Sequence, residues 1–318
     1  MISDYIQQWL NVIENMSNDN TYKLAWGRAI LEVINEKDIA GDISISFDEL
    51  SPKIIKYYWN QIYFFNLTQG PLKKPLVEQK VHEMIDKYQK DTRTKIPVWY
   101  EKAEEHLSNN KNYYEKLITR ISKILSKNVS WRFMYINGEN IPLYDLDNSK
   151  RIIYLTKEQA LDLKNYVFVL SQLLNYRWAQ LLELFNTAPR ISSKVKGLSD
   201  NKIRRNNLSK YKKILLEMYN GDPIDFYTGK VLEENDISVD HVIPWSFMYS
   251  DDIWNLVLTS RSKNSSKSNS VPSKEIIKRL KDRNDNLLRT IKDKSQEKIL
   301  EEAIRNNYID KFYYSLKM

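Results

Sequence analysis

Glycine is nearly missing from this chain. Seven occur in 318 residues, and the segments between them are long and rich in Lys, Glu, Leu and Ile. Such residues favour helices, so the reading is an α+β fold that is mostly helical. Apolar side chains at helical spacing predict helices over Ser3 to Met16 and Asn20 to Asn35, where Tyr22, Trp26, Ile30 and Ile34 share a face. Ile43 to Phe47 alternates and predicts a short strand, and Ser51-Pro52 reads as the opening of the next helix. Further helices are predicted over Pro75 to Gln89, Pro97 to Leu107 and Asn112 to Leu125. Trp131 to Ile136, Leu143-Tyr144 and Ile152 to Leu155 read as a small sheet, with Asn137-Gly138 as a hairpin turn. A long apolar helix over Lys157 to Asn186 closes this region. Its helix-spaced aromatics are read as packing rather than as stacking platforms for bases. Thr187-Ala188-Pro189 marks the boundary. The expected organisation is a helical domain with a small sheet over 1–188, a basic linker or helix over 189–213, and a C-terminal domain over 214–318.

Chemistry concentrates in that last part. Ser238-Val239-Asp240-His241-Val242-Ile243-Pro244 sets a carboxylate beside an imidazole, and Asn255 and Asn264 follow at separated positions. Alone, an Asp-His dipeptide reads as readily as a surface turn, and Asn264 as a solvated helix residue. Together the residues match the needs of phosphodiester hydrolysis. Water must lose a proton, and the phosphate's charge and the departing oxygen must be stabilised. Histidine titrates nearest neutrality and can take the proton, which makes His241 the candidate base. A hard divalent cation meets the electrostatic needs and accepts few protein ligands, for which Asp240 and the amide oxygen of Asn264 suffice. The cofactor expected is Mg²⁺ or Mn²⁺.

The β-branched alternation of Ile237 to Ile243 predicts a strand that Pro244 terminates, followed by a polar loop. Leu256-Val257-Leu258 predicts a second strand, and Ser260 a cap for a helix carrying Asn264 and Lys267. This order of Asp-His, Asn and Asn resembles the HNH endonuclease signature. The likeness extends through Val239-Asp240-His241, Pro244-x-Ser246-Phe247, Asp251-Asp252, Lys263-Asn264 with Lys267, and Val271-Pro272-Ser273. That pattern is most similar to the HNH domain of RNA-guided CRISPR effector nucleases, over about an eighth of the chain. The resemblance implies a ββα-metal domain flanked by helices. Its first strand presents Asp240 and His241, its helix presents Asn264, and Asn255 orients the loop and the histidine. It also implies DNA cleavage to 5′-phosphate and 3′-hydroxyl ends.

Many HNH proteins carry Cys-x-x-Cys pairs for a structural zinc, but this chain has no cysteine. Asp225-Phe226-Tyr227-Thr228-Gly229-Lys230 stands where the first pair would fall, so no thiolate zinc site is predicted. The formal charge of +8 suits a polyanionic substrate. Between Lys194 and Lys213 eight basic residues face only Asp200. Lys202, Arg204, Arg205, Lys210, Lys212 and Lys213, with Lys263 and Lys267 beside the motif, are the candidate contacts to DNA phosphates. His82 and His106 sit in polar helical segments and read as surface residues.

The expected function is metal-dependent hydrolysis of double-stranded DNA in bacterial restriction or anti-phage defence. The same sequence accommodates a subunit switched on by a partner such as a defence ATPase, or a DNA-binding protein with a silent HNH fold. A homodimer or a partner protein on the helical domain fits equally. No run spans a bilayer and the first residues lack a signal-peptide pattern, so a cytoplasmic, membrane-free setting is expected.

Overall fold

A computed structural model of the protein describes residues 2–71, 74–196, 206–219, 221–267 and 269–317. Two compact units result, Met1–Asn186 with Ile191–Asp200, and Thr187–Arg190 with Asn201–Met318. No helix among the described residues is long and apolar enough to cross a membrane.

The first unit is helical. Ser3 caps α1 (Asp4–Asn15) by accepting from the Ile6 amide, and α2 (Tyr22–Glu36) follows. After β1 (Ile43–Ser46) the chain enters α3 (Phe47–Trp59) through a capping box in which Ser46 and Glu49 exchange hydrogen bonds. This corrects the expected start at Ser51-Pro52. The proline lies inside the helix, and the box six residues earlier sets the start. The last turn of α3 widens into a π-helical turn, Asn60–Phe64. Three more helices follow, α4 (Leu76–Thr92), α5 (Tyr100–Ser108) and α6 (Lys111–Asn128).

The small sheet differs from the expected one. Arg132–Met134 is a 3₁₀ turn, and only β2 (Tyr135–Ile136) and β3 (Glu139–Asn140) pair across Asn137-Gly138. Both turn residues have positive φ, 50° and 93°, as a tight type I′ hairpin turn requires. Separately, β4 (Asp145–Asp147) and β5 (Ile152–Leu155) join β1 in the antiparallel order β1-β5-β4, while Leu143-Tyr144 is buried outside any strand. The second capping box, Thr156 with Gln159, opens the 29-residue α7 (Lys157–Phe185), which packs against α1, α2 and α8 (Ile191–Lys196). Trp9, Trp26, Tyr57, Trp59 and Trp178 are fully enclosed in this unit. Several meet edge to face, as the ring quadrupoles favour.

The second unit begins with α9 (Ser209–Leu216), so the stretch expected as a linker gives a helix to each unit. Its centre is a two-stranded antiparallel sheet, β6 (Ile237–His241) on β7 (Leu256–Ser260), in register from Ile237↔Ser260 to His241↔Leu256. Between the strands lie the short α10 (Trp245–Met248) and a 3₁₀ turn, Ile253–Asn255. The chain continues through α11 (Arg261–Lys267), α12 (Lys274–Thr290), α13 (Lys294–Arg305) and α14 (Tyr308–Lys317). Val242, Ile243, Trp254, Leu256, Leu280, Leu287 and Leu300 form one apolar cluster. Truncating a member such as Trp254 would cost about 3–5 kcal/mol. The C-terminal helices thus clamp the sheet whose end carries the polar residues.

Candidate active site

β6 ends sooner than its apolar pattern suggests, at His241 rather than Ile243. Asn255 causes the stop. Its carbonyl accepts from the Val242 amide at 2.9 Å, and its side-chain amide bonds the Ile243 amide and carbonyl, each at 2.8 Å. A buried amide that donates to and accepts from one residue fixes the turn after His241 as rigidly as two ladder bonds would. α12 holds the same turn from outside. Arg283 donates to the Ile253 and Trp254 carbonyls, and Asn284 to the Trp254 carbonyl at 2.9 Å. Burial pushes the Arg283 guanidinium down to about 9.

At this strand end Asp240 and His241 are both nearly enclosed, 7% and 8% exposed. Asp240 Oδ2 accepts from the Tyr227 hydroxyl at 2.5 Å and lies 3.0 Å from Lys267 Nζ. Burial and then the adjacent Asp240 charge drive the Tyr227 hydroxyl's pKa far up, so it stays a donor. Lys267 Nζ also donates to the His241 carbonyl at 2.7 Å. On the imidazole, Nε2 is 2.9 Å from Asp251 Oδ1. Burial works to raise the Asp251 pKa, but hydrogen bonds from His241, Asn206 and Trp245 hold it below the usual carboxylate range. Asp251 is therefore ionised and can only accept.

α11 starts where the Ser260 hydroxyl accepts from the Lys263 amide at 3.2 Å, and it packs against both strands. It carries Asn264 to the flank of β6. The amide nitrogen of Asn264 donates to Ser238 Oγ at 2.8 Å and to the Val239 carbonyl at 3.2 Å. A carbonyl admits only the nitrogen, which fixes the orientation of the amide and turns its oxygen the other way.

The turn expected in place of a zinc knuckle is stapled by Asp225, 2% exposed. Its carboxylate accepts from the Tyr227 and Thr228 amides, each at 2.9 Å, and from the Thr259 hydroxyl and Ser260 amide in β7, each at 2.8 Å. Burial opposes its ionisation, but these donors win and its pKa lies below the ordinary value. Tyr227, carried by this turn, supplies its hydroxyl to Asp240.

The structure thus brings Asp240, His241, Asn255 and Asn264 onto one strand end and the helix beside it. The basic candidates scatter. Lys267, expected as a phosphate contact, is instead an internal bridge, its side chain 8% exposed and bound to Asp240 and the His241 carbonyl. Lys212 reaches the Ile237 carbonyl at 3.0 Å, and Lys210 pairs with Asp293 at 3.4 Å. Lys213 and Lys263 are exposed; Lys263 lines a cleft of about 530 Å³ with Ser260, Ser262 and Ser266. Lys202, Arg204 and Arg205 lie outside the described residues. His82 and His106 belong to the first unit, beside Glu78 and Asp91. Sequence reasoning missed Asp225, Asp251 and Arg283 as partners of the motif.

Among the described residues no three His, Cys, Asp or Glu side chains converge as a protein-only metal cage would require. The donors present are one carboxylate and one amide oxygen. They suit a hard cation that keeps most of its waters, and the ammonium already seated on Asp240 shows that the position accepts positive charge.

A family model described as HNH endonuclease matches residues 217–273. The chain is 34% identical over 87 residues to the CRISPR-associated endonuclease Cas9 of Streptococcus mutans serotype c, and 38% identical over 86 residues to that of Listeria innocua serovar 6a. Each match covers 26% of this chain and 6% of the relative, so the chain spans a small part of the curated relatives it matches. No solved structure matches. The second unit therefore carries an HNH endonuclease domain similar to that of Cas9.

Proposed function

We propose that the protein is a metal-dependent endonuclease that hydrolyses DNA phosphodiester bonds at the end of β6. One observation carries the reading. A buried strand end sets the Asp240 carboxylate beside the His241 imidazole, and the Asn264 amide is anchored 3.2 Å from the carbonyl of Val239, the residue before Asp240. Asp240 and Asn264 would hold Mg²⁺ or Mn²⁺, which when bound supplies polarisation of the phosphoryl group and stabilisation of the leaving alkoxide.

The chain's own groups do the rest. His241 takes a proton from water as that oxygen attacks phosphorus in line with the leaving oxygen. Asn255 holds the turn after His241, so the base meets its substrate with little freedom to lose. Tyr227 and Lys267 hold the Asp240 carboxylate in place. The exposed Lys213 and Lys263 offer phosphate contacts that position DNA without reading its sequence. A single centre of this kind serves one strand, so a double-strand break requires a second copy or a second visit.

The name of the relatives, CRISPR-associated endonucleases, supports a place in anti-phage defence. One observation favours a variant in which a partner switches the nuclease on: Lys267 occupies the Asp240 carboxylate in the isolated chain. The test is incubation of supercoiled plasmid with the purified protein in Mg²⁺, Mn²⁺ or EDTA, beside His241→Ala. Metal-dependent nicking that disappears in His241→Ala, with DNA affinity retained, is expected. Nicking that survives EDTA or the substitution would remove the proposal.

A further inference from the structure

His241 could not serve as a base in any ring orientation it pleased. An imidazole must offer its lone pair to the water and hold its hydrogen elsewhere, and in this chain a carboxylate controls which nitrogen does which. Asp251 Oδ1 lies 2.9 Å from Nε2, with the two side chains 7% and 10% exposed. A carboxylate has no hydrogen to give, so Nε2 carries the hydrogen and Nδ1 the lone pair. The second oxygen of Asp251 is anchored in turn, since Asn206 Nδ2 donates to Oδ2 at 2.8 Å. Asn206 lies outside the segment that matches the HNH family model.

We propose that Asp251 is a positioning residue for the hydrolysis, locking His241 in the Nε2–H tautomer with Nδ1 as the proton acceptor, and that Asn206 fixes Asp251 for this task. It rests on the reading of His241 as the base. In the step, a water O–H bond breaks and its proton passes to Nδ1. The oxygen forms the new bond to phosphorus as the bond to the leaving oxygen breaks. The resulting imidazolium stands against the Asp251 carboxylate, which offsets its charge, and it returns the proton to the departing oxygen or to solvent.

The anchoring bond makes the test sharp. In Asp251→Asn, Asn206 still seeks an oxygen, so the new amide turns its oxygen toward Asn206 and its nitrogen toward His241. That N–H demands a lone pair on Nε2 and drives the hydrogen onto Nδ1, the wrong tautomer for the reaction. In Asp251→Ala the ring is merely released. Asp251→Asn is therefore expected to cleave more slowly than Asp251→Ala, with a loss on the order of a thousandfold in kcat and DNA affinity held within about threefold. Adding Asn206→Ala to Asp251→Asn removes the anchor that selects this amide orientation, leaving the Trp245 donor in place, and restores part of the rate. Imidazole ¹⁵N spectra of the metal-free protein, with three histidines to assign, are expected to show Nε2–H at His241 in the native chain and Nδ1–H in Asp251→Asn.

A merely structural carboxylate would give the reverse order, with the near-isosteric Asp251→Asn faster than Asp251→Ala and an unchanged ¹⁵N signature; that result overturns the proposal. The two readings fail separately. If His241→Ala still cleaves, the base assignment falls whatever Asp251 does. If His241→Ala is inactive while Asp251→Asn cleaves at the native rate, only the positioning role falls.

Discussion

Two buried carboxylates in the second unit, 15 positions apart in the sequence, are held in opposite ways. Asp225 is 2% exposed and takes four donors, three of them backbone amides. Asp240 is 7% exposed, and its Oδ2 takes two donors, both at the ends of side chains that can rotate away. Backbone amides cannot be withdrawn without undoing the turn or the strand, so Asp225 is a staple. The partners of Asp240 can be exchanged for a ligand at the cost of two rotamer changes. A buried charge satisfied by the main chain marks architecture, and one satisfied by side chains marks a place where something else can bind.

Substituting each in turn tests the contrast most strongly. Asp240→Asn is expected to lower plasmid cleavage by at least about a hundredfold, the lower edge of what such groups contribute, and to leave thermal unfolding near the native temperature. Asp225→Ala strips the partner from one buried and three half-buried donors and should cost about 3 kcal/mol of stability, read as a large drop in unfolding temperature. If Asp240→Asn unfolds the unit while Asp225→Ala leaves it intact, the assignment of roles is reversed. Next in size, Asn264→Ala removes a neutral ligand but leaves the carboxylate, so the Mg²⁺ concentration for half-maximal cleavage should rise on the order of tenfold. An unchanged metal requirement would take Asn264 out of the ligand set.

A smaller effect separates the carboxylates by pH. The Asp225 pKa is lowered by folding, so its contribution is fully present above its unfolded value, near pH 4, and is lost as pH falls through the folded value. Native protein should therefore lose stability in that acid window, and Asp225→Asn should show a flatter profile there. Urea midpoints measured from about pH 5 down to about pH 2 would reveal it. Equal slopes in the two proteins would mean that the turn's donors do not stabilise the charge.

What could be read from the sequence divides along the same line. Local signals are legible: the strand that begins at Ile237, though its end at His241 rather than Ile243 is not, the hairpin at Asn137-Gly138, and the long α7, whose apolar period is unbroken. The start of α3 was misplaced because Pro52 outweighed the Ser46 and Glu49 box. Within the site, the order of residues suggested that Asp240, His241, Asn255 and Asn264 share one strand, loop and helix. Their partners are another matter. Asp225 meets Thr259 across 34 positions, and Asn284 meets the Trp254 carbonyl across 30. Nothing in local spacing announces such pairs, because they exist only after α12 and the Asp225 turn dock on the sheet. Lys267 was misread for the same reason. A lysine on a short polar helix reads as solvent-facing until that helix is laid across β6.

Lys267 is also where the contrast between fixed and exchangeable donors can be probed most finely. Its ammonium lies 3.0 Å from Asp240 Oδ2 and 2.7 Å from the His241 carbonyl, so a divalent cation reaching that carboxylate meets a positive charge already there. The lysine must then move or share. Lys267→Met keeps the length and packing of the side chain and removes the charge. If the ammonium competes with the metal, Mn²⁺ should bind several-fold more tightly in a calorimetric titration, because no ammonium then has to leave the nearly enclosed carboxylate. The His241 carbonyl loses a donor in the same variant, which works against the gain by loosening the strand end and keeps the effect small. A weaker titration would mean that Lys267 braces Asp240 for the metal rather than holding its place. Asp240 would then belong with Asp225 as a carboxylate whose donors are part of the fold.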